Sequence, residues 1–183
     1  MECNRSPRRA AVLLILYPRN GEPCLVLTRR TEQVADHKGQ ICFPGGAVET
    51  ADSSELEAAL REAQEELGID PAQLRVLCAL EPVHTVATNY VIAPFVAYAS
   101  SRPAFRPAER EVAELIEVPV AALLDPAALT VERWDTHGVQ RDVYFYRFGE
   151  HIIWGATARI VKQFLDRCYS REWWERTLAN AGH

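Results

Sequence analysis

Between Ser53 and Asp70 the chain carries six acidic residues and a single base, Arg61, and that imbalance restricts the fold more than any other feature. Leu56, Leu60, Ala63 and Leu67 recur at helical spacing, Asp52 with Glu55 three residues on resembles a capping box, and Gly68 sits where a helix stops. The spacing therefore predicts a helix over 53–67. At about 100° per residue, Glu62 and Glu66 fall within about 40° of each other, and Glu65 lies about 60° to the other side of Glu62. Three carboxylates share one face, nearly opposite the apolar stripe and so directed to solvent or a cleft. A solvated helix face ordinarily alternates sign, and like charges four apart cost about 0.2–0.5 kcal/mol each. Something cationic must compensate them, and hard oxygen donors of this kind suit Mg2+ or Mn2+ shared with phosphate oxygens and water.

Around this helix the chain alternates strands and helices. Residues 10–17 and 24–28 are rich in Val, Leu and Ile and flank Asn20-Gly21, a hairpin signal. A short strand over 41–43 is stopped by Pro44-Gly45-Gly46, two of whose residues lack Cβ, so backbone there approaches a ligand closely. Further strands are expected at 74–80, 90–98, 112–118 and 143–148, with helices at 120–124 and 156–168 and a last turn or two over 171–178. The order lacks a regular strand–helix–strand rhythm, which predicts an α/β chain with a mixed sheet and helices on its faces. With 183 residues, no internal repeat, and only the Pro/Arg-rich loop 100–107 as a break, residues 1–183 read as one domain.

Composition removes several classes. The longest apolar run, 10–17, falls far short of the roughly 20 residues a membrane span needs, and the basic start is followed by no secretory pattern. A cytoplasmic protein without a membrane partner is expected. Five cysteines, Cys3, Cys24, Cys42, Cys78 and Cys168, are odd in number, widely spaced and without a Cys-x-x-Cys pair, which reads as reduced thiols rather than a disulfide framework or zinc site. A net charge of −5 gives no general attraction for nucleic acid; an anionic ligand must be held by metal and placed cations, for which Arg29, Arg30 and Lys38 are candidates. Their other reading is exposed surface charge. His37 precedes a glycine turn and reads as satisfying turn amides, while His84, His137, His151 and His183 lack ligand spacing. Trp173-Trp174 with Leu178 reads as core cover, with a homodimer contact as the other reading.

Gly46, fourteen residues, and then Arg61-Glu62-Ala63-Gln64-Glu65-Glu66-Leu67-Gly68-Ile69 resemble the Nudix hydrolase family, whose signature reads Arg-Glu-aliphatic-x-Glu-Glu-x-Gly-aliphatic. The spacing is one residue longer than usual, and Asp52 stands where a Glu is normally found. Three segments are similar to the coenzyme A diphosphatase branch. Val26-Leu27-Thr28-Arg29-Arg30 leads into His37-Lys38-Gly39-Gln40-Ile41-Cys42-Phe43-Pro44-Gly45-Gly46; Glu111-Val112-Ala113-Glu114 leads to Val118-Pro119; and Ile153-Trp154-Gly155-Ala156-Thr157-Ala158 follows.

The resemblance implies a Nudix-type α/β/α sandwich, a mixed β-sheet between helices. It implies that Glu62, Glu65 and Glu66, with the backbone carbonyl of Gly46, ligate Mg2+ or Mn2+, and that Arg61 orients a glutamate. Glu66, Glu111 and Glu114 are the candidates for the general base, and Arg29, Arg30, Lys38, Gly45 and Gly46 for meeting substrate phosphates. The activity it implies is metal-dependent cleavage of the diphosphate linkage in coenzyme A or acyl-coenzyme A, giving 3′,5′-ADP and (acyl-)4′-phosphopantetheine. Within the same enzyme class, ADP-ribose, NADH or a (deoxy)nucleoside triphosphate is the alternative substrate. From another class comes a non-catalytic nucleotide-sensing module, which commonly loses signature acids that this chain keeps.

Overall fold

The computed structural model describes residues 6–32, 39–85, 88–136 and 138–180. Two strands open the chain, β1 (Arg8–Arg19) and β2 (Glu22–Arg30). Asn20 and Gly21 between them have φ of 54° and 82°, the paired positive angles of the tight hairpin turn that Asn-Gly favours. Next come β3 (Ile41–Cys42), β4 (Gly45–Ala47) and helix α1 (Glu55–Leu67). Strands β5 (Arg75–Ala79), β6 (Val83–Thr85), β7 (Tyr90–Tyr98) and β8 (Val112–Pro119) follow, then helix α2 (Val120–Leu124). Strands β9 (Leu129–Thr136), β10 (Val139–Phe148) and β11 (His151–Trp154) precede helices α3 (Gly155–Arg167) and α4 (Arg171–Ala179).

The main sheet runs β3-β2-β1-β7-β5, with β4 also on β1, β6 on β7 and β8 on β2. It is mixed, because β1 is parallel to β7 but antiparallel to β2 and β4. The unbroken apolar character of β1 has a direct cause: both faces of this strand are covered. Ala11, Leu13, Ile15 and Tyr17 point to one side, with Ala58, Ala59, Ala63 and Leu67 of α1. Leu14 and Leu16 point to the other, with Ile160, Val161 and Phe164 of α3, Trp174 of α4, and Tyr146 and Ile153. The result is the expected α/β/α sandwich. Among the described residues no helix is long and apolar enough to cross a membrane.

Three differences from the sequence reading have physical reasons. First, β9, β10 and β11 form a separate three-stranded sheet; β9 is exposed at six of its eight positions, so it carries no core periodicity to read. Second, the loop 100–107 is a strap across the end of α1: Arg106 N–H donates to Leu67 O at 2.7 Å and Ala108 N–H to Glu66 O at 2.8 Å, satisfying helix carbonyls that have no partner within the helix. Third, the N-cap of α1 is Ser54, whose hydroxyl accepts from Glu57 N–H at 3.1 Å. Asp52 and Glu55 therefore form no capping box, and Asp52 is free for another partner.

Trp174 is fully buried and its indole N–H donates to Gly21 O at 3.0 Å. The tandem Trp173-Trp174 thus covers the core within the chain.

Candidate active site

Helix α1 presents its acids differently from the two-faced helix expected. Its buried residues are Ala58, Ala59, Ala63, Glu66 and Leu67, whereas Leu56 and Leu60 are only half-buried. Glu66 sits in the middle of the covered face rather than opposite it. Alanines at 58, 59 and 63 let α1 approach the sheet closely, where it meets β1 and also β4, a strand built from two glycines and an alanine. A thin helix face on a thin strand leaves room for a carboxylate.

Two glycines make that contact, in different ways. Gly45 has φ of 153°, and a Cβ there would lie 2.7 Å from Val12 Cα, so β1 itself excludes a side chain. Its N–H donates to Glu66 Oε2 at 3.3 Å. A Cβ on Gly46 would lie 2.6 Å from Glu62 Cδ, so Glu62 lays its carboxylate directly against the Gly46 backbone.

Arg61 ties the helix to what precedes it. Its Nε and Nη2 donate to the two carboxylate oxygens of Asp52 at 3.0 and 3.1 Å, and Nη2 reaches Ala47 O at 3.3 Å. Nη1 donates to Glu62 Oε1 at 2.9 Å and Glu65 Oε2 at 3.2 Å. Asp52, with a side chain 2% exposed, is held below the usual carboxylate range first by Arg61 and then by the Glu49 N–H. A bidentate pair of this kind is both strong and geometrically specific. Arg61 thus orients two glutamates, and Asp52 orients Arg61.

The electrostatics of the acids are strained. Glu66 is 2% exposed, and burial pushes its carboxyl up to about 8, with Glu62 and Glu111 adding to the rise and Arg30 and the Gly45 N–H opposing it. Glu62 is raised as well, again by burial first, with Glu65 and Glu111 contributing and Arg61 opposing. Glu66, buried and facing Glu62 and Glu111, is short of positive charge.

Other predicted residues separate by face. Arg30 Nη1 donates to Glu66 Oε1 at 3.4 Å, while its buried Nε has no hydrogen-bond partner among the described residues. Arg29, its neighbour on β2, points to the opposite side and pairs with Glu114 at 2.9 Å. His151 Nε2 stands 3.4 Å from the same carboxylate. Glu114 and Arg29 are therefore not gathered with Glu66. Glu111 is exposed in the turn before β8, on the α1 side. That turn is fixed at three points: Ala108 N–H on Glu66 O, Glu111 N–H on Ala108 O, and Thr31 N–H on Glu111 O, the last two at 2.9 Å. Lys38 and His37 lie outside the described residues.

Glu65 is the most exposed of the three helix acids, its side chain 58% accessible. Among the described residues no three His, Cys, Asp or Glu side chains are gathered as a metal cage, because Arg61, Arg30 and the Gly45 N–H engage the carboxylates instead. The donor set nonetheless fits a hard divalent cation in chemistry and charge. It offers only oxygens, one carboxylate rests against the Gly46 backbone, and the surplus of negative charge is buried.

Thr31 and the strap 100–108 are supports that sequence reasoning missed, whereas Asp52 stands out in the sequence at the signature's acidic position, without its partner Arg61.

The NUDIX domain family model matches residues 7–141. An uncharacterized Nudix hydrolase named NudL from Pectobacterium atrosepticum is 40% identical over 161 residues, covering 85% of this chain and 80% of that one. Among solved structures, the Nudix hydrolase RenU from M. smegmatis superposes with a TM-score of 0.54 at 24% identity, covering 65% of this chain and 74% of that one. The NUDIX domain of Shewanella oneidensis NrtR, complexed with ADP ribose, gives 0.52 at 19% identity over 66% and 77%. These two similarities concern the fold.

Proposed function

Because the chain belongs to the Nudix hydrolase family, we propose that it hydrolyses the diphosphate linkage of coenzyme A or an acyl-coenzyme A, giving 3′,5′-ADP and the (acyl-)4′-phosphopantetheine. The observation that carries a hydrolytic site is the buried Glu66 with the half-buried Glu62 against Gly45 and Gly46, both carboxyls raised first by burial. Glu62, Glu65 and Glu66 with the Gly46 carbonyl are the proposed holders of Mg2+ or Mn2+, which when bound neutralises the diphosphate and acidifies water.

The chain's own residues supply the rest. Arg61, braced by Asp52, holds Glu62 and Glu65 on the same side of α1, from which a bound cation would draw their carboxylates together. Arg30, whose Nε has no hydrogen-bond partner among the described residues, faces the same side and is the cation proposed to meet a phosphate oxygen. Glu111 is the proposed general base: it is exposed, shares the α1 side, and its turn is bonded to the backbone of Glu66. In the step itself water forms a new O–P bond, the bridging P–O bond breaks, the water proton passes to Glu111, and the second phosphate leaves. Glu114, bonded to Arg29 and close to His151 on the opposite side, is assigned a structural role.

The coenzyme A assignment rests on the three segments that resemble that branch. One contact supports reading two of them together: Thr157 Oγ1, from the Trp154-Gly155-Ala156-Thr157-Ala158 segment, donates to Ile41 O at 3.1 Å. That carbonyl belongs to the stretch leading into Phe43-Pro44-Gly45-Gly46.

Mass analysis of products from coenzyme A, ADP-ribose and deoxynucleoside triphosphates, with and without Mg2+ or Mn2+, tests the proposal. The expected result is metal-dependent release of 3′,5′-ADP and 4′-phosphopantetheine from coenzyme A. Turnover of ADP-ribose or a triphosphate in its place moves the substrate within the class. Binding without metal-stimulated hydrolysis of any of them makes the chain a nucleotide sensor. Glu111→Gln is expected to lose at least about 100-fold in kcat, with Glu114→Gln near wild type; the reverse order overturns the base assignment.

A further inference from the structure

Cys78 and Cys168 lie 90 residues apart in the chain with their sulfurs 4.0 Å apart. Neither is on a free loop. Cys78 is in β5, paired to Val96 of β7 beside a bulge after Val76. Cys168 closes α3, its N–H on Phe164 O at 3.0 Å, and the next residue, Tyr169, donates to the same carbonyl at 2.9 Å. The rings of Tyr169 and Trp173 both pack on Phe164 with centroids 5.9 Å away, fixing the turn from α3 to α4 against the core. Two hydrogen-bonded backbones therefore hold the thiols at van der Waals contact, and a sulfur–sulfur bond of about 2.05 Å needs a closure of roughly 2 Å.

We propose that Cys78 and Cys168 are an oxidation site at which hydrogen peroxide converts the thiol pair into an intramolecular disulfide, locking β5 to the α3–α4 junction. One thiolate attacks the peroxide, forming a sulfenic acid and, with a proton, releasing water. The second thiol displaces the hydroxyl as a second water, so two thiols lose two electrons and two protons while the peroxide is reduced to two waters. Cys24 and Cys42 have other neighbours: Cys24 is buried beside Tyr17, and Cys42 contacts Thr28 Oγ1 at 3.6 Å. Burial raises the Cys78 thiol to about 11, with Cys168 adding to the rise, so the pair answers sustained rather than brief exposure to oxidant.

The bond has a defined consequence. Closing so long a loop restricts the unfolded chain, and the melting temperature is expected to rise by roughly 5–15 °C. Both cysteines border the cluster on the α3 side of the sheet, whereas α1 packs on the other. Hydrolysis by the linked form is expected to match that of the reduced form.

The test uses the full chain carrying Cys3→Ser, a position outside the described residues, treated when folded with hydrogen peroxide. Intact mass, peptide mapping without reductant and thermal melting are read before and after dithiothreitol. Loss of two hydrogen atoms, a Cys78–Cys168 linked peptide and a higher melting temperature, all reversed by dithiothreitol, are expected. Cys78→Ser and Cys168→Ser should each abolish the linked peptide. Sulfinic or sulfonic acid at either cysteine in place of the link, a link through Cys24 or Cys42, or persistence of both free thiols overturns the proposal. Because the parent chain itself supplies both the linked and the reduced states, these outcomes stand even where a serine variant fails to fold.

Discussion

Gly45 and Gly46 are adjacent and chemically identical, yet substitution should separate them. Alanine at Gly45 places Cβ against the backbone of β1, at a φ of 153°, and nothing there yields; a destabilisation of about 3 kcal/mol or more is expected in denaturant melts. Alanine at Gly46 meets only the carboxylate end of Glu62, which can swing aside. That variant should fold near wild type and lose metal-stimulated hydrolysis. Glu66 carries the pH dependence. Its folded value near 8 lies above its ordinary 4.5, so the folded metal-free chain keeps a proton that the unfolded chain releases. The associated stability is full below about pH 4.5 and is lost as pH rises through about 8. Melting temperatures of the metal-free chain should fall across that window. Glu66→Gln, which cannot ionise, should flatten the fall and abolish turnover; full activity in this variant would remove the helix from the mechanism.

At the scale of elements, α1 is held at both ends by groups outside its own hydrogen-bond ladder. Ser54 caps the start, and Ser54→Ala should cost about 1 kcal/mol of stability with little effect on chemistry. The other end is different, since Arg106 and Ala108 bond the carbonyls of Leu67 and Glu66 and the same strap leads into the turn of Glu111. Ala108→Pro removes one of those donors. The expected outcome is a fall in kcat larger than the loss of stability explains, measured by comparing turnover with melting temperature; an unchanged kcat would show that the strap does not position Glu111.

The helix also shows where a pattern of apolar spacing misleads. Leu56 and Leu60 look like its core stripe, but the alanines are what reach the sheet, packing on β1 beside the nearly side-chain-free β4. Leucines at the edge and alanines at the centre are the signature of close approach, and the identity of the opposing strand decides it. A polar strand such as β9 leaves even less trace, since it is the edge of a sheet that reaches the core through Tyr146 of β10 and Ile153 of β11.

For the molecule as a whole, the sheet separates chemistry from mass. One face carries α1 and the acids; the other carries α3, α4 and the largest buried side chain, Trp174. Trp174→Ala should destabilise by about 3–5 kcal/mol while any folded fraction keeps its catalytic constants, which kcat per active site measures.

By itself the sequence determined the local elements and the chemistry on offer. The Asn20-Gly21 hairpin, the apolar run buried on both faces, the acid-rich helix and the longer apolar strands follow from short-range stereochemistry and hydrophobic period, whereas β4, β6, β9 and β11 carry too little period to be read. The tertiary structure alone decided which charges meet. It put Arg30 beside Glu66 and turned Arg29 away to Glu114, although the two arginines are neighbours, because successive residues of a strand face opposite ways and only sheet pairing fixes which way is which. It also joined Asp52 to Arg61 and Cys78 to Cys168, since contacts between elements depend on how the layers stack and on which residues are small enough to let them come together.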